Sequence, residues 1–112
     1  MATPRRGEVW LVDLGYVAKI RPCLVLSIAA DAATDRALVC LIPHTTSTRA
    51  SRFEVAIDTR FLKPGAFDAQ NLVTVAHAKL VRRLGSLTTE QLQQVAEVVQ
   101  IWLGFKSAAS PS

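Results

Sequence analysis

A small barrel or sandwich of short β-strands, followed by one helix, is the fold that this sequence predicts. Short apolar, β-branched runs recur between turn-forming clusters, the spacing of a compact, mainly β body. One late segment, from Thr88 to Gly104, changes to a helical period and carries both a start and a stop signal. At 112 residues the chain makes one domain with a modest core.

Gly7 to Leu14, where Glu8 and Trp10 interleave with Val9, Leu11 and Val12, reads as the first strand. Gly15 to Ile20 is a short loop carrying Tyr16 and Lys19. Arg21 to Ala29 is the second strand, and Asp31 to Asp35 is a turn by composition. Arg36 to Ile42 is a third strand, apolar enough to be buried on both faces. A polar loop, Pro43 to Ser51, leads to a strand over Arg52 to Ile57, with Phe53, Val55 and Ile57 on one face and Arg52, Glu54 and Ala56 on the other. Asp58 to Pro64 reads as a helical turn. Gly65 to Gln70 and Leu72 to Val75 read as short strands around Asn71, and His77 to Leu84 runs toward a turn at Gly85-Ser86.

Thr88 as N-cap and Gln91 three residues on form a capping box, with Leu87 placed to staple on Leu92. Leu92, Val95, Val99 and Trp102, flanked by Ala96 and Leu103, make an apolar stripe, while Gln93, Gln94, Glu97 and Gln100 face away. Gly104 stops the helix. The domain is therefore expected over residues 1–105, with 106–112 a disordered tail.

Half of the residues are hydrophobic and 20% are charged, which predicts an ordered, soluble body. No apolar run approaches the roughly 18 residues of a membrane span, and no signal-peptide pattern opens the chain, so a cytoplasmic location is expected. Cys23 and Cys40 each fall inside a predicted strand and read as buried, reduced thiols. Their spacing offers no metal site, no dinucleotide fingerprint occurs, and no cofactor is expected. Thirteen Lys and Arg against nine Asp and Glu give a formal charge of +4. Eleven of those basic residues lie between Arg6 and Arg83, whereas Thr88 to Phe105 holds two acids and no base. The basic body favours phosphate-bearing partners, a bias it shares with many proteins that bind no nucleic acid.

The most informative residues are Arg21-Pro22, at the entrance of the second strand, and Pro43-His44-Thr45-Thr46-Ser47-Thr48-Arg49, at the exit of the third. A guanidinium at the mouth of an apolar strand needs a partner. Pro22 removes a backbone donor and keeps Arg21 extended. Two strand ends of this kind predict one shared polar site. The plainer alternatives are that Arg21 pairs with Glu8, Asp13 or Glu54, that the Thr/Ser run only satisfies a turn, and that Lys79, Arg82 and Arg83 are a solvated face. Trp10 and Trp102 read as core, and His77 as a solvated strand end.

In this order the motifs resemble the MazF/PemK family of type II toxin–antitoxin toxins. Gly7-Glu8-Val9-Trp10, Arg21-Pro22 and Pro43-His44-Thr45-Thr46-Ser47 are similar to the family's segments in order and spacing. So are Leu62-Lys63-Pro64, Asp68-Ala69-Gln70 and Leu80 to Leu87. The resemblance spans Arg6 to about Phe105 and implies an SH3-like, partly open β-barrel with a C-terminal helix, used as a homodimer. It also implies metal-independent, sequence-selective cleavage of single-stranded RNA, neutralised by a cognate antitoxin. Arg21 and Thr45 match the family's functional Arg and Thr. The loop Gly15 to Ile20 is shorter than in many members and lacks their acidic and glycine content, and His44 stands where many have an aliphatic residue.

Metal-free RNA cleavage uses the 2′-hydroxyl as nucleophile and gathers charge on the phosphoryl oxygens, where fixed donors stabilise it. Arg21 supplies a planar fork of donors and Thr45 a neutral one. His44 is the nearby group that titrates near neutrality, although strand alternation would turn it away from Thr45. His44, Thr46 and Ser47 are candidates for catalysis or RNA binding, and Lys19, Arg49, Gln70, Lys79 and Arg82 for RNA binding. The expected partners are single-stranded RNA, a second copy of the chain and an antitoxin with an acidic, disordered segment. The alternative function is a non-catalytic SH3-like binding module, or a gyrase-poisoning toxin of the same fold.

Overall fold

The computed structural model describes residues 3–15, 19–34 and 36–107. Tyr16 of the first loop, Asp35 of the predicted turn and residues 108–112 of the tail lie outside them. The strands are β1 (Glu8–Asp13), β2 (Ile20–Val25), β3 (Leu38–Thr45), β4 (Glu54–Ala56), β5 (Ala66–Asp68), β6 (Val73–Ala76) and β7 (Leu80–Ser86). A 3-10 turn, His77–Lys79, precedes β7, and helix α1 covers Thr89–Trp102. The strands run β4-β5-β3-β2-β1-β7, with β6 also on β3, and every pairing is antiparallel. The sheet curls without closing and one terminal helix follows it, which is the partly open barrel that the resemblance implies.

Both faces of the central strands are buried, as the unbroken apolar runs require. Val9, Leu24 and Ile42 join Val55, Ile57, Phe67 and the helix residues Val95 and Val99 in one cluster. Their sequence neighbours Trp10, Val12, Cys23, Val25, Val39 and Leu41 form a second cluster with Leu80. Register shifts against β7 between Val9 and Trp10, and between Leu11 and Val12, bend β1 between the two cores.

Several boundaries differ from the sequence reading, each for a long-range reason. The second strand ends at Val25 because the Leu26 and Ser27 amides both turn to the Cys40 carbonyl, at 2.9 and 3.3 Å. The third strand runs on through Pro43 to Thr45 because β5 offers His44 and Thr45 a new partner in Phe67 and Ala66. Asp58 to Pro64 forms turns and bends without a helix. Gly85-Ser86 is strand, not turn: Phe61 lies so close to Gly85 that a Cβ there would meet its ring at 2.6 Å.

The helix follows the sequence closely. The Thr88 hydroxyl accepts the Gln91 amide at 3.1 Å and the Gln91 side chain accepts the Thr88 amide at 2.9 Å. The Phe105 amide bonds the Gln100 carbonyl at 2.9 Å and the Gly104 amide the Ile101 carbonyl at 3.1 Å, a Schellman end around Gly104 at φ 80°. Trp102 was expected in the core but is 43% exposed, its ring edge-on to Phe53 at 5.6 Å. Cys40 is half-buried rather than buried, and Lys106 is tied to Glu97 at 2.9 Å rather than free.

Candidate active site

The functional residues collect where β2 begins and β3 ends. Antiparallel pairing sets Cys23 against Pro43, so the start of β2 and the end of β3 lie side by side. Past Pro43 the side chains of β3 alternate between two cavities. Pro43, Thr45 and Ser47 line one of about 230 Å3, with Arg49, Glu54, Asp68 and Asn71 opposite. His44 and Thr46 line another of about 380 Å3, with Ile20, Pro22, Phe61, Leu62, Lys63 and Leu84. Arg21 lines both. Among the described residues it makes no ion pair; Glu8 is taken by Arg83 at 3.1 Å, and Glu54 lies 3.8 Å from Arg49. Its guanidinium is thus held half-buried and available to a ligand.

The Thr45 hydroxyl accepts the Ser47 amide at 3.1 Å, which leaves its proton free to donate. Behind it, a Cβ on Gly65 would collide with the Thr45 carbonyl oxygen and come within 2.8 Å of the His44 ring, so only glycine fits. His44 is 4% exposed, packs edge-on to Phe67 at 5.1 Å, and its Nε2 has no hydrogen-bond partner. Burial first, and the Arg21 charge second, push its pKa below the usual imidazole value of 6.5, so the ring is neutral at neutral pH.

Glu54, weighed from the sequence as a partner of Arg21, has a side chain only 4% exposed and instead organises the polar loop. It accepts the Arg49 amide at 2.8 and 3.1 Å and the Ser51 amide at 3.0 Å. These backbone donors, Arg49 first, hold its carboxyl below the ordinary value. The Arg49 side chain leans back to within 3.8 Å of Glu54 and 3.6 Å of Asp68.

The remaining predicted residues scatter. Lys19, at φ 61°, closes the first loop through its amide to the Gly15 carbonyl at 2.6 Å and is exposed beside the site. Gln70 is exposed just beyond β5, its amide on the Asp68 carboxylate at 3.2 Å. Lys79 lines a separate cavity of about 490 Å3 with Asp13, Gly15 and Thr74. Arg82 is exposed on β7 opposite Leu11 and lines none of these cavities. His77, expected in solvent, is half-buried with its Nε2 unpartnered. Sequence reasoning missed Gly65, Asp68 and Asn71 as site-forming residues. Only the Asp and Asn around Gln70, a turn pattern, gave any signal.

The chain matches the family described as PemK-like, MazF-like toxins of type II toxin–antitoxin systems over residues 5–103. It belongs to that family. This MazF-like toxin is 31% identical over 104 residues to the curated protein "Probable endoribonuclease MazF5" of Mycobacterium tuberculosis, covering 89% of this chain and 93% of the relative. A solved endoribonuclease in complex with its cognate antitoxin from mycobacterial species matches with a TM-score of 0.77 at 28% identity, covering 92% and 97% of the two chains. MazF in a MazE–MazF structure from Deinococcus radiodurans shares the fold at a TM-score of 0.77 and 21% identity, covering 94% and 100%. No helix among the described residues is long and apolar enough to cross a membrane. The MazF-like toxin thus brings the Arg21 guanidinium, in no ion pair among the described residues, and the Thr45 hydroxyl to a single cavity.

Proposed function

We propose that this toxin is an endoribonuclease that cuts single-stranded RNA without a metal, by attack of the 2′-hydroxyl on the adjacent phosphate. The observation that carries the reading is the shared cavity of Arg21 and Thr45, with the guanidinium free of any ion pair among the described residues. The solved and curated relatives that are named endoribonucleases support it. Arg21 binds the phosphoryl oxygens bidentately and opposes the charge that grows on them; Thr45 donates its hydroxyl proton to the same oxygens. Arg21 itself is no proton acceptor, because a guanidinium carries N–H donors and no acceptor lone pair. Glu54 and Asp68 line the same cavity, with the Arg49 guanidinium 3.8 and 3.6 Å from their carboxylates.

The partners follow from the same surface. The net positive charge of the chain attracts an acidic, disordered segment of a cognate antitoxin, a reading supported by the mycobacterial relative solved with its antitoxin. A homodimer covers part of the apolar surface that one chain leaves bare, including Ile28 at 71% and Val81 at 56% exposure. The working compartment is the cytoplasm. The reading is tested by incubating long unstructured RNA with the protein in EDTA. Discrete cuts with 2′,3′-cyclic phosphate ends are expected, and Arg21→Ala should abolish them with an unchanged melting temperature. A non-catalytic binding module of the same fold predicts no cutting by either protein.

A further inference from the structure

Arg21 stands between two cavities, and a phosphodiester stands between two nucleosides. We propose that the cavity lined by Ile20, Pro22, His44, Phe61, Leu62 and Leu84 seats the base of one nucleotide next to the cleaved phosphate; this rests on the ribonuclease reading. Its volume of about 380 Å3 falls within the range of roughly 300–1,000 Å3 that takes small-molecule ligands. The two cavities differ in chemistry. The Thr45 cavity has two carboxylates on its wall, whereas this one has four aliphatic residues, Phe61 and an imidazole. Arg21, Thr46 and Lys63 line it as well, so apolar side chains and polar groups share the wall, a mixture that suits the flat, apolar faces and polar edge of a base.

The walls are preorganised. Phe61 is held against the bare backbone of Gly85, and Gly65 admits the His44 ring at a distance that no side chain would leave open. His44 closes the inner wall, buried to 4% exposure and fixed edge-on against Phe67. Lys63, on the rim, is exposed and in no ion pair among the described residues, placed for the next phosphate. Alternation along β3 sends Thr45 to the phosphate and His44 and Thr46 to the base, so one strand end serves both.

The test uses a short RNA that the wild type cuts at one site, and two versions with an abasic ribose on either side of that site. The wild type should cut one abasic RNA roughly tenfold more slowly, the loss expected when a single seated base is removed. Thr46→Trp, from an exposed position at the cavity mouth, should slow the intact RNA and erase that difference while melting like the wild type. Lys63→Trp, from the exposed opposite rim, is the second filling variant and should do the same. Filling variants that keep the full discrimination on both sides overturn the assignment. A wild type that cuts both abasic RNAs as fast as the intact one also overturns the assignment, whereas long unstructured RNA left uncut in EDTA overturns the ribonuclease reading, and this inference with it.

Discussion

The Glu54 carboxylate takes the Arg49 backbone amide on both oxygens, at 2.8 and 3.1 Å, and so a residue of β4 sets the path of the loop that follows Thr45. Glu54→Gln should leave the barrel folded but loosen that loop, lowering RNA cleavage several-fold. The pH dependence has a definite sign. A carboxyl held below its free value of 4.5 contributes stability in full above that pH, and the contribution is lost as pH falls through the lowered value. Acid unfolding followed by circular dichroism should begin below about pH 4.5 and be shallower in Glu54→Gln; an identical acid limb in both proteins would refute this role.

Gly65→Ala should cost roughly 1–3 kcal/mol, the range for overpacking, because the added methyl runs into the Thr45 carbonyl and the His44 ring. Cleavage should fall by more than the loss of folded protein explains, since the collision displaces the strand end that carries Thr45. Thermal melts and cleavage rates on the same preparation separate the two effects.

Thr45→Ser should keep most activity and Thr45→Val should lose it by about 10²-fold, as expected for one donor to a developing oxyanion. Arg21→Lys should fall by a similar factor, because an ammonium replaces a bidentate fork by a point charge. Neither Arg21→Lys nor Thr45→Ser should move the melting temperature by more than about 2 °C, given that surface and half-buried substitutions of this kind cost little.

His44 gives a second pH signature. Its ring is held neutral in the folded state, so the unfolded chain binds a proton more readily between 6.5 and the lowered value, and stability should decline as pH falls through that window. His44→Gln removes the titration and should flatten the decline. Melting curves from pH 7 to pH 5 check it. The groups facing the ring are Arg21, Thr46 and Lys63 across the cavity, and Phe67 from β5.

Thr88→Ala is the control for the site predictions. Losing the capping bond should cost roughly 0.5–2 kcal/mol. No residue of the helix start lines the cavities of Arg21 and Thr45, so cleavage per folded molecule should stay at the wild-type level.

Local patterns carried much of this architecture in the sequence. Strand alternation in β1, the two-faced apolar runs of β2 and β3, and the Thr88–Gln91 box with Gly104 are all local, and each element is present, with the ends of β2 and β3 shifted. The pairing of Arg21 with Thr45 in one site was also legible, from the position of each polar cluster at a strand end and from the family resemblance. What the sequence hid depends on partners far along the chain. Gly85 looked like a turn because nothing local reveals that Phe61 lies upon it, and Glu54 gave no sign of its role because the backbone amides that donate to it belong to the preceding loop. The extension of β3 to Thr45 rests on β5, twenty residues on, and no property of Pro43-His44-Thr45 announces it.

The antiparallel pairing of β2 and β3 puts the reactive groups at one end of a hairpin and its connection, residues 26–37, at the other. At roughly 3.4 Å per residue, the four steps from Arg21 to Val25 carry the chain ~14 Å away from the site. New termini, a fluorophore or an affinity handle placed around Asp31 to Thr34 would therefore sit on the far side of the barrel, on an exposed turn. A toxin made traceable there would keep its RNA-facing surface and its helix intact.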